Sequence, residues 1–423
     1  MTETLWQRHD SPDSTEKRHV LLGVTGSIAA YKSAELARLL VSWGYEVRVI
    51  MTQSAQRFIT PVTMSTISGR PVTTDFWDEN EIGGVGHIQL ADWADVLVVA
   101  PATADFMAKL AFGFADTPLL AIALATKAPL LLAPAMNVNM YQHPKTVANK
   151  QELLNRGVSF VEPEEGMLAC GWKGRGRLAH PSEIFYHVRR ILSSGDFRGR
   201  RLLITTGPTR EPIDPVRFIS NRSSGKMGVA LAREAFRRGA EVTLVHGPCP
   251  IRVPLPVHCL EVGTAQEMRD LVFKLVYGDG WDSTAGEHKK PDAVIMAAAV
   301  ADYRPAEAAE QKIKKSAMPG GLKLVKNPDI LHELGERRGS DAHPLLVGFA
   351  VETGEIDDLL AEARNKLHAK NADLIVGNFA QDALELDTNR AWLVDRHGKQ
   401  EEIATGYKSR VANKILDAVL RLW

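Results

Sequence analysis

Four polar segments, each following an apolar run, carry the residue types from which a phosphate and carboxylate site can be built. They are TGSIAAYK (25–32), MTQSA (51–55), PATADFMAK (101–109) and PAMNVNMY (134–141). In open α/β sheets, ligands bind beyond the carboxyl ends of the strands. Gly26 and Ser27 offer backbone N–H groups and a hydroxyl to a phosphate at a helix N-terminus. By itself this signal is weak, and the absence of GxGxxG counts against a dinucleotide such as NAD. His87, Asn137 and Cys170 are further candidates, each with a plainer alternative. A lone histidine is more often a satisfied structural residue. PAMN also fits a helix N-cap with a core methionine. A lone cysteine is more often an inert small side chain. Cys170 stands in EEGMLACGWKGRGR, a Gly-rich basic stretch that suits a lid over a phosphorylated substrate. Arg175 and Arg177 suit a substrate phosphate or are solvated loop charges.

The strongest motif is TTGPTREPIDPVRFISNRSSGKMG (205–228). SSGK resembles a phosphate loop but fails the Walker pattern. Ser220 stands where the first glycine belongs, and Met227 where Ser or Thr belongs. Its Gly, Ser and Lys content still suits phosphate binding. AAAVADYRP (297–305), KIKK (312–315), KNPDIL (326–331), VGFAVET (347–353) and KLHAKNADLIVGN (366–378) follow. KIKK also reads as a solvated charge run. NPDIL also reads as a helix start with Asn327 as N-cap and Pro328 at N1.

The elements that must position these residues come in two sets. HVLLGVTGSIAAYKSAELARLLVSWGYEVRVIMT reads as strand, Gly turn, helix, Gly stop, strand. RLLITTGPT, from Arg201, begins a second such unit, completed by SSGKMGVALAREAFRRGAEVTLVHGP. Gly44 and Gly239 sit where a helix C′ glycine is expected. Two beginnings of this kind predict an α/β protein of two doubly wound, Rossmann-like domains. Buried parallel strands are expected at Val96–Ala100, Leu130–Ala133, Ala293–Ala298, Leu345–Phe349 and Leu374–Val376. NRAWLVDRHGKQEEIA reads as a hairpin turning at HG, SRVANKILDAVLRL as a helix, and 278–291 as a surface loop. The expected division is a disordered tail at 1–17, a domain at 18–192, a linker at 193–200 and a domain at 201–423.

A chain of 423 residues with 45% hydrophobic and 24% charged residues suits two globular cores. Acidic and basic residues balance at 51 each, which argues against a general polyanion binder, so no nucleic-acid partner is expected. The three cysteines, Cys170, Cys249 and Cys259, form no CxxC pair and no zinc or disulfide framework. A reducing compartment follows. No apolar run is long and clean enough to span a bilayer, and the N-terminus has no secretory h-region.

Together the first set of loops resembles the flavin-binding cysteine decarboxylases that act on phosphopantothenoylcysteine and on peptide C-terminal cysteines. GSIAAYK, GHIQLADWAD with His87, PATAD, PAMNxxM and ACG with Cys170 carry the resemblance over roughly 18–190. PATADF in place of the PASANT of the peptide-acting enzymes favours the coenzyme A branch. The second set resembles the bacterial, CTP-using phosphopantothenate–cysteine ligase domain, so the whole chain is similar to the bifunctional decarboxylase/ligase family. The resemblance implies a flavodoxin-like domain binding FMN through Gly26, Ser27, Thr52, Ser54, Pro101, Ala102, Thr103 and Asp105. It implies that His87 acts in oxidation of the substrate thiol, which creates an electron sink for loss of CO2. Asn137 would bind the substrate carboxylate, and Cys170 would donate the proton of the final reduction. Met140, Arg175, Arg177, Arg217 and Asn221 join Asn137 as substrate contacts. Asn221 and Arg217 would handle an acyl-cytidylate, with Lys312 as a further catalytic residue. Met296, Ala297, Ala298, Asp302, Lys312, Pro328, Asp329, Ile330, Leu331, Phe349, Lys366 and Lys370 would line the CTP site. Asp302 would meet Mg2+ or Mn2+. The family further implies a cytoplasmic homo-oligomer of trimeric decarboxylase and dimeric ligase units, assembling as far as a dodecamer. Three alternatives fit less well. Flavin prenyl transfer predicts no Cys170 lid and no ligase domain. A non-catalytic flavoprotein predicts loss of His87, Asn137 or Cys170. An NAD dehydrogenase predicts the missing fingerprint.

Overall fold

The computed structural model describes residues 18–76, 86–168, 171–249, 257–278, 290–314, 321–383 and 386–423. The chain divides into two compact units, Met1–Ser193 and Ser194–Trp423.

The first unit is built on strands β1 (His19–Val24), β2 (Glu46–Met51), β3 (Val72–Thr73), β4 (Val96–Ala102), β5 (Leu130–Pro134) and β6 (Ser159–Phe160). They pair in parallel in the order β3-β2-β1-β4-β5-β6. Side chains alternate between the two faces of a strand, and β4 shows the consequence. Val96, Val98 and Ala100 enter one apolar cluster with Leu36 and Leu40 of helix Tyr31–Ser42 and Phe185 of helix Pro181–Ile191. Leu97, Val99 and Ala102 enter another with Phe106, Met107 and Leu110 of helix Ala104–Ala111. Both faces are therefore covered, which is why β4 is apolar at every position and buried throughout. Each fully buried Val or Leu contributes about 1.5–3 kcal/mol relative to exposure. A hairpin of β7 (Glu164–Met167) and β8 (Lys173–Arg177) follows.

The second unit repeats the plan and extends it. Its strands are β9 (Arg201–Thr206), β10 (Arg210–Pro212), β11 (Phe218–Ser220), β12 (Glu241–His246), β13 (His258–Glu261), β14 (Ala293–Met296), β15 (Tyr303–Pro305), β16 (Leu324–Lys326), β17 (Leu345–Glu352), β18 (Leu374–Phe379), β19 (Thr388–Asp395) and β20 (Gln400–Tyr407). The main sheet runs β13-β12-β9-β14-β17-β18-β19-β20. It is parallel as far as β18, after which β19 and β20 are antiparallel. The expected late hairpin is thus β19–β20, turning at Gly398 with φ of 80°. Helix Lys408–Arg421 returns to pack against helix Lys226–Arg237.

Both glycine stops are present. Gly44 and Gly239 follow their helices with φ of 90° and 103°, a region that costs other residues a Cβ clash. Three details differ from the sequence reading. The strand expected over Ala293–Ala298 ends at Met296. There the Ala298 N–H leaves the ladder for Thr205 Oγ1 at 3.2 Å. The helix at NPDIL begins at Ile330 with Asp329, not Asn327, as its cap. Asp329 accepts from the His332 N–H, while Asn327 Nδ2 donates to the Ala301 carbonyl. In the segment expected as a linker, Phe197 is fully buried in the second unit, 5.5 Å from the Trp423 ring. Of the expected loop at 278–291, residues 279–289 lie outside the described residues, as does the expected tail at 1–17. Among the described residues no helix is long and apolar enough to cross a membrane.

Candidate functional site

In the first unit, four loops meet where β1, β2, β4 and β5 end. Thr25 is buried, and its hydroxyl donates to the Pro101 carbonyl at 2.7 Å while accepting from the Thr103 N–H at 3.2 Å. This single threonine locks the Gly26–Ser27 turn to PATAD. Gly26 is pressed against the next loop, since a Cβ built on it would stand 2.4 Å from Ser54 Cβ. No other residue fits there without moving Ser54. Ser27 caps the turn that follows, accepting from the Ala29 N–H. Thr52 Oγ1 accepts from the Ala55 N–H, and Thr103 Oγ1 caps helix Ala104–Ala111 through the Phe106 N–H. Asp105 is exposed, with Lys109 Nζ 3.6 Å from its carboxylate.

Asn137 caps the short helix Val138–Gln142, its Oδ1 accepting from the Asn139 N–H at 2.9 Å. The N-cap reading of PAMN is therefore correct as structure. Its methionine, Met136, is partly buried and packs against the apolar cluster of the first unit, as that reading has it. The β7–β8 hairpin docks on this loop. The Gly176 carbonyl accepts from the Met136 N–H, and a Cβ on Gly176 would lie 2.2 Å from the Met136 carbonyl oxygen. Arg175 and Arg177 are exposed on β8, with Arg177 Nε 3.4 Å from Glu164. His87 stands on helix Gly86–Trp93, its ring edge-on to Phe76 at 5.5 Å. Cys170 lies outside the described residues. Lys32 was not singled out by the sequence reading, yet it is buried and its Nζ donates to the Leu178 carbonyl at 2.8 Å. Burial pushes its ammonium below the ordinary lysine range. It ties the first helix to the segment leaving β8.

In the second unit a cavity of about 800 Å³ opens beside β14, β17, β18 and β19. Asn221 and every residue expected at the nucleotide except Lys312 line it. Its wall begins with the Gly-rich loop. Gly225 has φ of 72° and caps helix Lys226–Arg237, and its carbonyl accepts from Thr206 Oγ1 at 2.8 Å. A Cβ on Gly228 would stand 2.3 Å from Thr206 Oγ1, so the helix start presses on β9 because that position is glycine. Asn221 Nδ2 donates to the Val300 carbonyl at 3.0 Å. Asp302 is exposed, and its carbonyl accepts from the Asn327 N–H. Lys370 Nζ lies 3.1 Å from Asp329, and Lys366 Nζ lies 3.4 Å from Glu362 and 3.6 Å from Glu352.

Two expected residues stand elsewhere. Lys312 is exposed and does not wall the cavity. Arg217 also lies off the wall, gripping Asp214 and donating to the Ile313 carbonyl at 2.9 Å. Its hydrogen bonds, with the N–H groups of Val216, Arg217 and Ile313, hold the Asp214 carboxyl well below the usual range. The cavity also gathers Lys226, Asn378, Asn389 and Lys408, which the sequence reading did not choose. Asn378 lies within a quoted motif. Asn389 lies in a segment read only as a hairpin, and Lys408 directly before the segment read as a helix, so only the folded sheet brings them to the cavity.

Two families match. The one described as "DNA/pantothenate metabolism flavoprotein C-terminal domain" matches residues 197–422, and "Flavoprotein" matches residues 8–193. The chain is 45% identical over 362 residues to the "Coenzyme A biosynthesis bifunctional protein CoaBC" of Haemophilus influenzae, covering 85% of this chain and 86% of that one. It is 42% identical over 416 residues to the protein of the same name from Mycobacterium bovis, covering 95% and 96%. A solved C-terminal domain of such a protein is 38% identical, covers 54% of this chain and 98% of its own, and superposes with a TM-score of 0.44.

Proposed function

The chain belongs to the family of bifunctional coenzyme A biosynthesis proteins, which join a decarboxylase to a ligase in the phosphopantothenate–cysteine pathway, and from this premise we propose how each unit works. In the second unit, a carboxylate oxygen of 4′-phosphopantothenate attacks the α-phosphorus of CTP. The bond to the β-phosphate breaks and pyrophosphate leaves. The cysteine amine then attacks the acyl carbon, the C–O bond to CMP breaks, and the amine loses a proton. The observation that carries this reading is the cavity that gathers the Gly-rich loop, Asn221 and the expected nucleotide residues on one wall system. The Asn221 amide, fixed by the Val300 carbonyl, holds the acyl group in line for the amine. Lys312 and Arg217 reach the reacting phosphate or acyl group only if their loops swing inward. Among the described residues, no three His, Cys, Asp or Glu side chains cluster as a metal cage. Asp302 would therefore hold Mg2+ or Mn2+ together with the nucleotide's own phosphates, as such ions are commonly held.

In the first unit the donor set fits FMN: a glycine with no room for a side chain at Gly26, and hydroxyls at Ser27, Thr52, Ser54 and Thr103 on neighbouring loops. Held there, FMN would supply two-electron redox chemistry, oxidation of the substrate thiol and return of a hydride after loss of CO2. Asn137 orients the substrate carboxylate beside Met140. His87 handles the proton of the oxidative step, Cys170 supplies the last proton, and Arg175 and Arg177 meet the substrate phosphate. We read each unit as a doubly wound domain, the first over 18–192 and the second reaching from the segment that carries Phe197 to residue 423, in a cytoplasmic homo-oligomer of trimeric first units and dimeric second units.

The test supplies purified full-length protein with 4′-phosphopantothenate, cysteine, CTP and Mg2+. CMP and pyrophosphate should appear in equal amounts, followed by CO2, from a protein with flavin absorption. CO2 release from a colourless, flavin-free protein, or ligation without cleavage of CTP, overturns the scheme. Cys170→Ser should still release CO2 but fail to form the reduced product. Loss of CO2 release in a folded, yellow variant would give Cys170 another role.

A further inference from the structure

Two lysines meet at the cavity of the second unit. Lys408 opens helix Lys408–Arg421, its side chain is buried, and its Nζ donates to the Leu386 carbonyl. Lys226 opens helix Lys226–Arg237, and its Nζ lies 2.6 Å from Asp387. Both line the cavity. Burial, with repulsion from Lys226, pushes the Lys408 ammonium down to about 8 against the pull of Asp387. A cation in the first helical turn also sits at the positive end of the peptide dipoles. The arrangement therefore costs stability in the empty protein.

A second observation points the same way. Asn389, 1% exposed, also lines the cavity. Its Nδ2 lies 3.8 Å from Met227 Sδ, and its Oδ1 is buried with no hydrogen-bond partner. An unmatched buried amide is itself unfavourable. A half-turn of the amide exchanges its two ends and presents N–H groups in place of the oxygen. Converging ammoniums, a helix start at the φ-positive Gly225 and an amide able to turn its donors inward share one complement, a compact polyanion.

We propose that Lys408, with Asn389 beside it, binds the diphosphate end of the nucleoside triphosphate and holds it as it leaves. The inference rests on the nucleotide reading above and adds two residues to it. When the bond from the α-phosphorus to its bridging oxygen breaks, the electron pair stays on that oxygen and the departing diphosphate gains negative charge. Lys408 meets that charge as an ammonium and transfers no proton. Lys226 is drawn from Asp387 toward the same group.

The experiment uses full-length wild-type protein, Lys408→Gln and Lys408→Arg, with CTP, CMP and inorganic pyrophosphate titrated by calorimetry. Lys408→Gln should weaken CTP and pyrophosphate by about tenfold or more, the weight of one charge-assisted hydrogen bond. CMP, which lacks the diphosphate, should bind as before, and Lys408→Arg should retain more CTP affinity than Lys408→Gln. Equal weakening of CTP and CMP, or unchanged CTP binding, overturns the proposal. Wild-type protein that binds neither nucleotide removes the nucleotide reading itself, a separate outcome. If Lys408→Gln does not fold, limited acetylation of wild-type protein, with the extent at Lys408 read by mass spectrometry, decides the matter. CTP and pyrophosphate should protect Lys408 and CMP should not. Protection by all three, or by none, overturns the assignment.

Discussion

In the second unit the expected nucleotide residues close around a cavity, whereas in the first the expected ligand residues are spread over loops of mixed exposure, from buried Pro101 and Ala102 to exposed Ser54 and Asp105. Ser54, Asp105, Arg175 and Arg177 are exposed, and so are the apolar Ile28, Tyr31, Met140 and Trp172 nearby in sequence. The second unit adds β19, β20 and the last helix beyond its parallel strands, and these bring Asn389 and Lys408 to the cavity.

The largest expected effect tests whether the two cores are independent. Phe197→Ala removes a fully buried ring from the second unit and should cost about 3–5 kcal/mol. Calorimetry should show the second unit's transition falling while the first unit's transition and flavin absorption stay. A joint shift would show that the units unfold as one.

Next comes the chemistry of the cavity against that of its rim. Lys312→Gln should slow pyrophosphate release by roughly 10²–10³, or ~3–4 kcal/mol, if Lys312 swings in to meet the phosphates. Asn221→Asp should spare activation more than amide formation, so acyl-cytidylate accumulates when cysteine is supplied. Rapid quench and mass detection read both, and decarboxylation should be untouched. Since Lys312 is exposed and off the wall, an unchanged rate would return it to a solvated loop.

A smaller effect belongs to the first unit. Thr103→Ala removes the cap of helix Ala104–Ala111 and should lower that unit's stability by ~1 kcal/mol in urea unfolding, with CTP cleavage unaffected. The smallest is a pH slope. Burial, then the charge of Arg190, lowers His187 from 6.5 to about 4. Between those values the unfolded chain binds a proton that the folded one refuses, so stability falls as pH drops through that window and levels off below it. His187→Gln should flatten the slope between pH 6.5 and 4 for the first unit alone. An unchanged slope would assign the acid sensitivity to other groups.

Much of this protein was written in local pattern. Continuous apolar runs such as 96–100 fit strands covered on both faces, and Gly44 and Gly239 marked helix ends because their backbone conformation favours glycine. The motifs from Gly26 to Asn137 and from Asn221 to Lys370 were legible as candidate sites, and the structure shows why glycine stands in them at Gly26 and Gly228, where a Cβ would collide with Ser54 and Thr206. Tertiary structure alone decided the rest. Phe197 reads as part of a polar linker until Trp423, over two hundred residues later, packs on it. Asp329, not Asn327, caps its helix, while Asn327 Oδ1 accepts from Arg304 and its Nδ2 donates to the Ala301 carbonyl. Asn389 and Lys408 reach the cavity only because β19 pairs with β18 and the last helix folds back on helix Lys226–Arg237. Periodicity and turn chemistry act between near neighbours in sequence, and a sequence reading recovers them. A polar side chain's role depends on which distant groups share its burial, and that is settled only when the sheet closes.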